Sequence, residues 1–250
     1  TERLARPLWK LASWLRGGAG VGWTIETAIG SVAYPYFERL VWRQFGEALR
    51  GGHYDLVHRI TPLTPTAPSS MARRCATIGV PFIVGPLNGG VPWPAGFQAA
   101  LRAEREWLAY VRSAYRALPG ARAMLKHASA IIAGSRYTQS EVPAAYQAKT
   151  FYLPENGIDA RRFGRTAEVR SGGPLRLSFV GRLVPYKGPD MLLEAAAELL
   201  RKGLVTLDVL GDGPLMPALR EHIDREGLGG AVTLHGWVEH ARVQDLLCQT

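Results

Sequence analysis

The sequence predicts an α/β protein built as two units, each on a parallel sheet. Three observations lead there. Short apolar runs alternate with amphipathic ones through most of the chain. A polar stretch rich in Gly and Arg, residues 155–174, interrupts the alternation, which then restarts. Charge divides at about the same place: the first 150 residues carry 18 Lys and Arg against 8 Asp and Glu, the remaining hundred 12 against 13.

The elements read in order as follows. Residues 4–16 have Leu4, Leu8, Leu11 and Leu15 at helical spacing, with Trp9 and Trp14 adding bulk. Gly17 to Gly20 ends that helix. A second helix covers Tyr36 to Leu49, ahead of Gly51-Gly52. Residues 55–60 form a short strand, and a helix follows Pro68-Ser69-Ser70. Pro81 to Val84 is an apolar strand that runs into Gly85-Pro86-Leu87-Asn88-Gly89-Gly90. Helical sequence fills 97–127. Residues 128–133 are a strand ending at Gly134-Ser135, a helix begins near Arg136, and residues 150–153 are another strand. After the linker come a strand over 175–180, a helix over 190–200 and a strand over 205–210. A helix over 214–226, a strand over 231–235 and a helix from Glu239 complete the chain. Short strands separated by helices are the signature of parallel βαβ units. The expected boundary lies after residue 165.

Composition narrows the function classes. Cys75 and Cys248 are too few for a disulfide framework and fit no zinc spacing. No run of about 18 apolar residues occurs, so no spanning helix is expected. No Ser-His-Asp set, metal-ligand cluster or glycosidase-type carboxylate pair can be assigned. The basic residues are scattered rather than interleaved with aromatics, which argues against nucleic acid. The basic first part suits an anionic membrane surface or a phosphate-bearing acceptor.

Two loops carry candidate chemistry. The first follows the strand over 175–180: Gly181 and Gly188 bracket Arg182 and Lys187, and a helix begins directly after. In open α/β sheets ligands bind beyond the carboxyl ends of strands. Two cations and a helix N-terminus there suit a diphosphate, Arg gripping two oxygens and Lys acting as a point charge. The spacing is not that of a Walker loop. The second is Gly85 to Gly90, where glycines let backbone approach a ligand and present N–H groups to an anion. His58 ends a strand at the same kind of edge.

Phe179-Val180-Gly181-Arg182-Leu183, with Lys187-Gly188 and a Leu-Leu helix following, is similar to the donor-site signature of retaining GT-B glycosyltransferases of the family-four (group 1) type. Further matches follow in order. Residues 209–214, with Gly211 and Gly213, resemble the family's Gly-x-Gly strand end, and residues 232–236 resemble its next strand. Pro154 to Asp159 and Phe163 resemble its interdomain link. Ser135 and Thr138 resemble a helix start, and residues 54–58 resemble a strand ending in His. The likeness covers residues 50 to 250.

That resemblance implies two Rossmann-like GT-B domains, both incomplete here: an acceptor-side domain over 1–165 and a nucleotide-sugar domain over 166–250. It implies that Arg182 and Lys187 contact the diphosphate and carry the catalytic charge, with Gly181, Gly211 and Gly213 completing the donor loop. Asn88, Gly89, Gly90 and His58 would line the acceptor-side loop. Some members carry a His in that loop, and this chain has none between Pro81 and Pro94. A spaced glutamate pair that holds the donor sugar in the family is not found, so the chain is expected to be truncated at both ends and inactive alone. The donor is a nucleoside-diphosphate sugar and the acceptor a sugar or lipid-linked hydroxyl. No cofactor and no metal are expected. The intact enzyme would act in cell-surface polysaccharide or glycolipid synthesis, in the cytoplasm or peripherally at the inner membrane face. A GT-B nucleotide-sugar epimerase and a non-catalytic sugar-nucleotide module remain as alternatives.

Overall fold

The computed structural model describes residues 23–65, 67–89, 91–92, 94–98, 102, 119–167 and 172–250. The amphipathic helix expected over 4–16, the larger part of the helical stretch over 97–127, and Gly90 lie outside the described residues. The chain divides into two compact units, Thr1–Gly157 and Ile158–Thr250.

In the first unit, α1 (Trp23–Arg50) precedes β1 (Val57–Arg59), α2 (Met71–Thr77), β2 (Phe82–Leu87), α3 (Pro119–His127) and β3 (Ala130–Ala133). Then follow α4 (Arg136–Glu141), a 3-10 turn (Ala144–Lys149) and β4 (Thr150–Tyr152). The strands pair in parallel in the order β1-β2-β3-β4. Phe82, Val84, Leu87 and Ile131 are fully buried, against Met71, Ala72 and Cys75 of α2 and Met124 of α3. Burial pushes the Cys75 thiol up to about 11.

Helix α1 is longer than the expected 36–49. Pro35 lacks an N–H and argues for a helix start at Tyr36, yet the helix runs through it. Tertiary bonds hold both flanks. The Tyr34 hydroxyl donates to the Thr61 carbonyl at 3.1 Å. The buried Glu38 carboxylate accepts from the Ser69 hydroxyl, and from the Ser70 N–H and hydroxyl at 2.7 and 2.8 Å. Buried Arg59 donates to the carbonyls of Ala67 and Pro62 at 2.7 and 2.8 Å, fixing the loop after β1.

In the second unit, β5 (Leu175–Val180), α5 (Pro189–Arg201), β6 (Val205–Leu210), α6 (Met216–Arg225), β7 (Val232–Gly236) and α7 (His240–Leu247) alternate strictly. The sheet is parallel in the order β5-β6-β7. Leu193, Ala196, Ala197 and Leu200 repeat at helical spacing on α5 and pack on Val205, Leu207 and Val209, with Leu219 and Ile223 of α6 beside them.

The division falls after Gly157 rather than after residue 165. Residues of the supposed linker are attached to α7. Phe163 meets His240 edge-on at 5.1 Å, the Arg165 N–H donates to Gln244 Oε1 at 2.9 Å, and its guanidinium pairs with Asp245. Composition locates a polar stretch; packing decides which unit owns it. Among the described residues, no helix is long and apolar enough to cross a membrane.

Candidate functional site

The loop from β5 to α5 is held by backbone. The Gly181 N–H donates to the Leu210 carbonyl, the Leu183 N–H to that of Asp212, and the Leu215 N–H to that of Leu183, each at 3.0 Å. Two glycines make this stitching possible. A Cβ on Gly211 (φ 142°) would stand 1.9 Å from the Gly181 carbonyl oxygen, and one on Gly213 would stand 2.5 Å from that of Leu183. No other residue lets the β5 and β6 ends approach so closely. Leu183 and Val184 are fully buried and act as the loop's apolar anchor.

The cations flank that anchor. Arg182 and Lys187 are both exposed. Lys187 closes a 3-10 turn (Pro185–Lys187), its ammonium 5.4 Å from the Tyr186 ring centroid. Gly188 takes a left-handed φ of 66°, and α5 starts at once with Pro189, whose missing N–H costs nothing at that position. The structure therefore brings Gly181, Arg182, Lys187, Gly211 and Gly213 to one strand-end edge of the second unit. It offers a guanidinium, an ammonium and the N-terminus of a 13-residue helix there. Such a set can hold an anion of high charge.

The first unit builds its edge differently. The Asn88 N–H donates to the Leu63 carbonyl at 2.9 Å. The Asn88 side-chain amide donates to Glu155 Oε1 at 2.5 Å, and its Oδ1 accepts the Gly89 N–H at 2.8 Å. Gly89's N–H is thus taken up within the loop. The Thr138 hydroxyl lies 3.3 Å from the Gly89 carbonyl, and the Ser135 hydroxyl caps α4 on the Thr138 N–H at 3.1 Å. His58 Nε2 lies 2.8 Å from the Gly85 carbonyl, as donor. His58 thus binds inside β2, whereas Asn88 and Gly89 lie beyond its end; all three are in a different unit from the cations.

Two polar features were not singled out from sequence. Glu155 packs against Gly134, where a Cβ would stand 3.1 Å from its Oε2; that oxygen is buried without a hydrogen-bond partner among the described residues. Asp208 on β6 meets His235 on β7 at 2.6 Å. An Asp inside the apolar run Val205–Leu210 was the available signal.

Comparison with known proteins points the same way. Residues 174–250 match the family model described as glycosyl transferases group 1. An alpha-D-kanosaminyltransferase of Streptomyces kanamyceticus is 34% identical over 116 residues, 44% of this chain and 30% of that protein. A GDP-mannose-dependent alpha-(1-6)-phosphatidylinositol monomannoside mannosyltransferase of Mycolicibacterium smegmatis is 34% identical over 118 residues, 41% of this chain and 31% of that protein. The chain thus aligns with less than a third of either relative. A solved sucrose-phosphate synthase of Thermosynechococcus elongatus superposes with a TM-score of 0.51 at 16% identity, covering 85% of this chain and 51% of that one. That likeness is one of fold: α/β units with parallel sheets, as in the GT-B glycosyltransferases. The segment that matches the group 1 glycosyl transferases, residues 174–250, spans every strand and helix from β5 to α7.

Proposed function

We propose that this chain is the part of a retaining glycosyltransferase in which the second unit grips the diphosphate of a nucleoside-diphosphate sugar. One observation carries the reading: Arg182 and Lys187 stand exposed on a backbone-locked loop at the end of β5, inside the segment that matches the family. As the sugar leaves, negative charge grows on the departing diphosphate. A guanidinium and an ammonium already in place offset that charge without rearrangement. They bind the donor and stabilise its departure; they move no proton. The glycosyl unit passes to an acceptor hydroxyl oxygen as its bond to the diphosphate breaks, and the departing diphosphate oxygen takes the hydroxyl's proton. On this reading His58, Asn88, Gly89 and Gly90 belong to the acceptor side.

The acceptor is a sugar or a lipid-linked group, in polysaccharide or glycolipid synthesis at the inner membrane face. Helix α1 supports the membrane part of this reading, since Arg39 and Arg43 are exposed beside Tyr36 and Phe37, which are 41% and 49% exposed. Arginines attract anionic headgroups and aromatics suit the interface. Binding to vesicles containing phosphatidylglycerol should weaken as salt rises; binding indifferent to both lipid charge and salt would rule out an anionic membrane surface as the partner.

The donor reading is tested by thermal shift with UDP, GDP and ADP. A ligand at about 100 times its Kd stabilises the folded chain by about 2.7 kcal/mol. Arg182→Ala should remove most of that shift. An unchanged shift would place the nucleotide elsewhere.

A further inference from the structure

Near its end, strand β7 carries one residue more than its partner. Val209 pairs with Leu234 and Leu210 with Gly236, so His235 is the extra residue of a bulge. Bulges are rare in parallel sheets, and they re-aim the chain and the side chain where they occur. This one falls at the last rung of the ladder, where both strands end. His235 is pinned there: its Nε2 lies 2.6 Å from Asp208 Oδ1 on β6. A carboxylate only accepts, so Nε2 is the donor. Asp208 stands opposite Thr233 in the register, so the bond runs diagonally toward the strand ends. The two side chains are partly exposed, at 24% and 34%, and such a pair contributes little to stability. Its place carries more weight than its energy.

The bulge decides where the Gly236 carbonyl points. Gly236 follows His235 at a left-handed φ of 68°, and its carbonyl accepts the Gly211 N–H at 2.8 Å. Gly211 in turn lies against the loop after β5, since a Cβ on it would stand 1.9 Å from the Gly181 carbonyl oxygen. The Gly181 N–H donates to the Leu210 carbonyl and the Leu183 N–H to that of Asp212. Arg182 sits between those two bonds. A line of contacts therefore runs from the His235–Asp208 bond, through Gly236 and Gly211, to the backbone that carries Arg182. Groups packed this closely transmit a shift rather than absorb it.

We propose that Asp208 and His235 are positioning residues for the cationic loop: their bond fixes the bulge that sets Gly211 and, through it, Arg182. They act through backbone, not by contact with the diphosphate. This rests on the reading of Arg182 and Lys187 as the diphosphate grip. It also gives a role to a carboxylate inside the apolar run Val205–Leu210.

Two readouts test it. Amide hydrogen exchange at Gly211 reports the bond to Gly236, and calorimetry with inorganic pyrophosphate reports the grip. Asp208→Leu removes the acceptor. It should speed exchange at Gly211 and weaken pyrophosphate about 3- to 30-fold, in chain that urea unfolding shows to be folded. His235→Phe removes the donor and should do the same; it carries the test if Asp208→Leu does not fold. Asp208→Asn keeps an acceptor oxygen and should restore both readouts. A merely stabilising pair would lower the urea midpoint and leave the pyrophosphate affinity of the folded chain unchanged. That result would overturn the proposal, as would unaltered exchange at Gly211, or Asp208→Asn as weak as Asp208→Leu. Failure of the underlying grip reads out separately, as pyrophosphate affinity that Arg182→Ala does not alter while Gly211 exchange still responds to Asp208→Leu.

Discussion

The two units solve one problem with different emphasis: each uses backbone bonds and one side-chain acceptor in its loop, but the first adds long-range side-chain bonds. Each must fix a glycine-rich loop at the carboxyl ends of a parallel sheet. In the first unit, side chains do the fixing: Asn88 is bonded to Glu155, and Thr138 and His58 reach the carbonyls of Gly89 and Gly85. In the second, backbone N–H groups of Gly181, Leu183 and Leu215 do it, while Arg182 and Lys187 stay at the surface. A loop fixed largely by its own backbone can keep cationic side chains exposed to a ligand. A loop locked by side chains has spent them on itself, and what it offers a ligand is shape. The difference explains why the cationic loop is the better candidate for a charged donor.

The largest expected effect strikes a feature the two units share. A Cβ on Gly211 would stand 1.9 Å from the Gly181 carbonyl oxygen, and one on Gly85 (φ 127°) would stand 2.2 Å from that of Ile132. Alanine at either site must push two strands apart, at about 3 kcal/mol or more. Urea unfolding should show the loss in both variants, and only Gly211→Ala should also abolish nucleotide binding.

Next comes the contrast itself. Charge-assisted bonds from Arg182 to phosphate oxygens are worth about 1.5–3 kcal/mol, so Arg182→Ala should weaken pyrophosphate about 10- to 150-fold. Stability should change less than affinity, since backbone fixes that loop. Asn88→Asp should do the reverse, costing about 1–3 kcal/mol of stability with no effect on pyrophosphate. It sets a second carboxylate against Glu155, so the pair's folded-state pKa rises above the unfolded value. The destabilisation is therefore full at neutral pH and shrinks as pH falls into the carboxylate range, which a urea series at pH 7 and pH 4 would show.

The smallest effect concerns Cys75. Its folded pKa is about 11 against an ordinary 9.0. The folded state favours the neutral thiol, so this contribution is present below pH 9 and is lost as pH rises through 11. Cys75→Ala should flatten that alkaline decline, although it also removes packing.

The two parallel sheets were legible because alternating apolar runs and helical spacing need no tertiary knowledge. The cationic loop was legible because Gly181, Arg182, Lys187 and Gly188 lie within eight residues of one another. Glu155 was not: its partner Asn88 is 67 residues away, and only folding brings them together. Asp208 and His235 are 27 residues apart and meet across two strands for the same reason. The true start of α1 was hidden because Pro35 speaks locally against a helix, while Glu38 and Tyr34 hold it through partners remote in sequence. The link was misdivided because a polar composition says nothing about Phe163 packing on His240.

The division of labour between the two loops is tested most directly by amide hydrogen exchange with and without saturating nucleoside diphosphate. Protection should rise over 181–188 and 211–213, with 87–89 and 134–138 unchanged. Protection confined to 87–89 and 134–138 would put the nucleotide in the first unit and contradict the account.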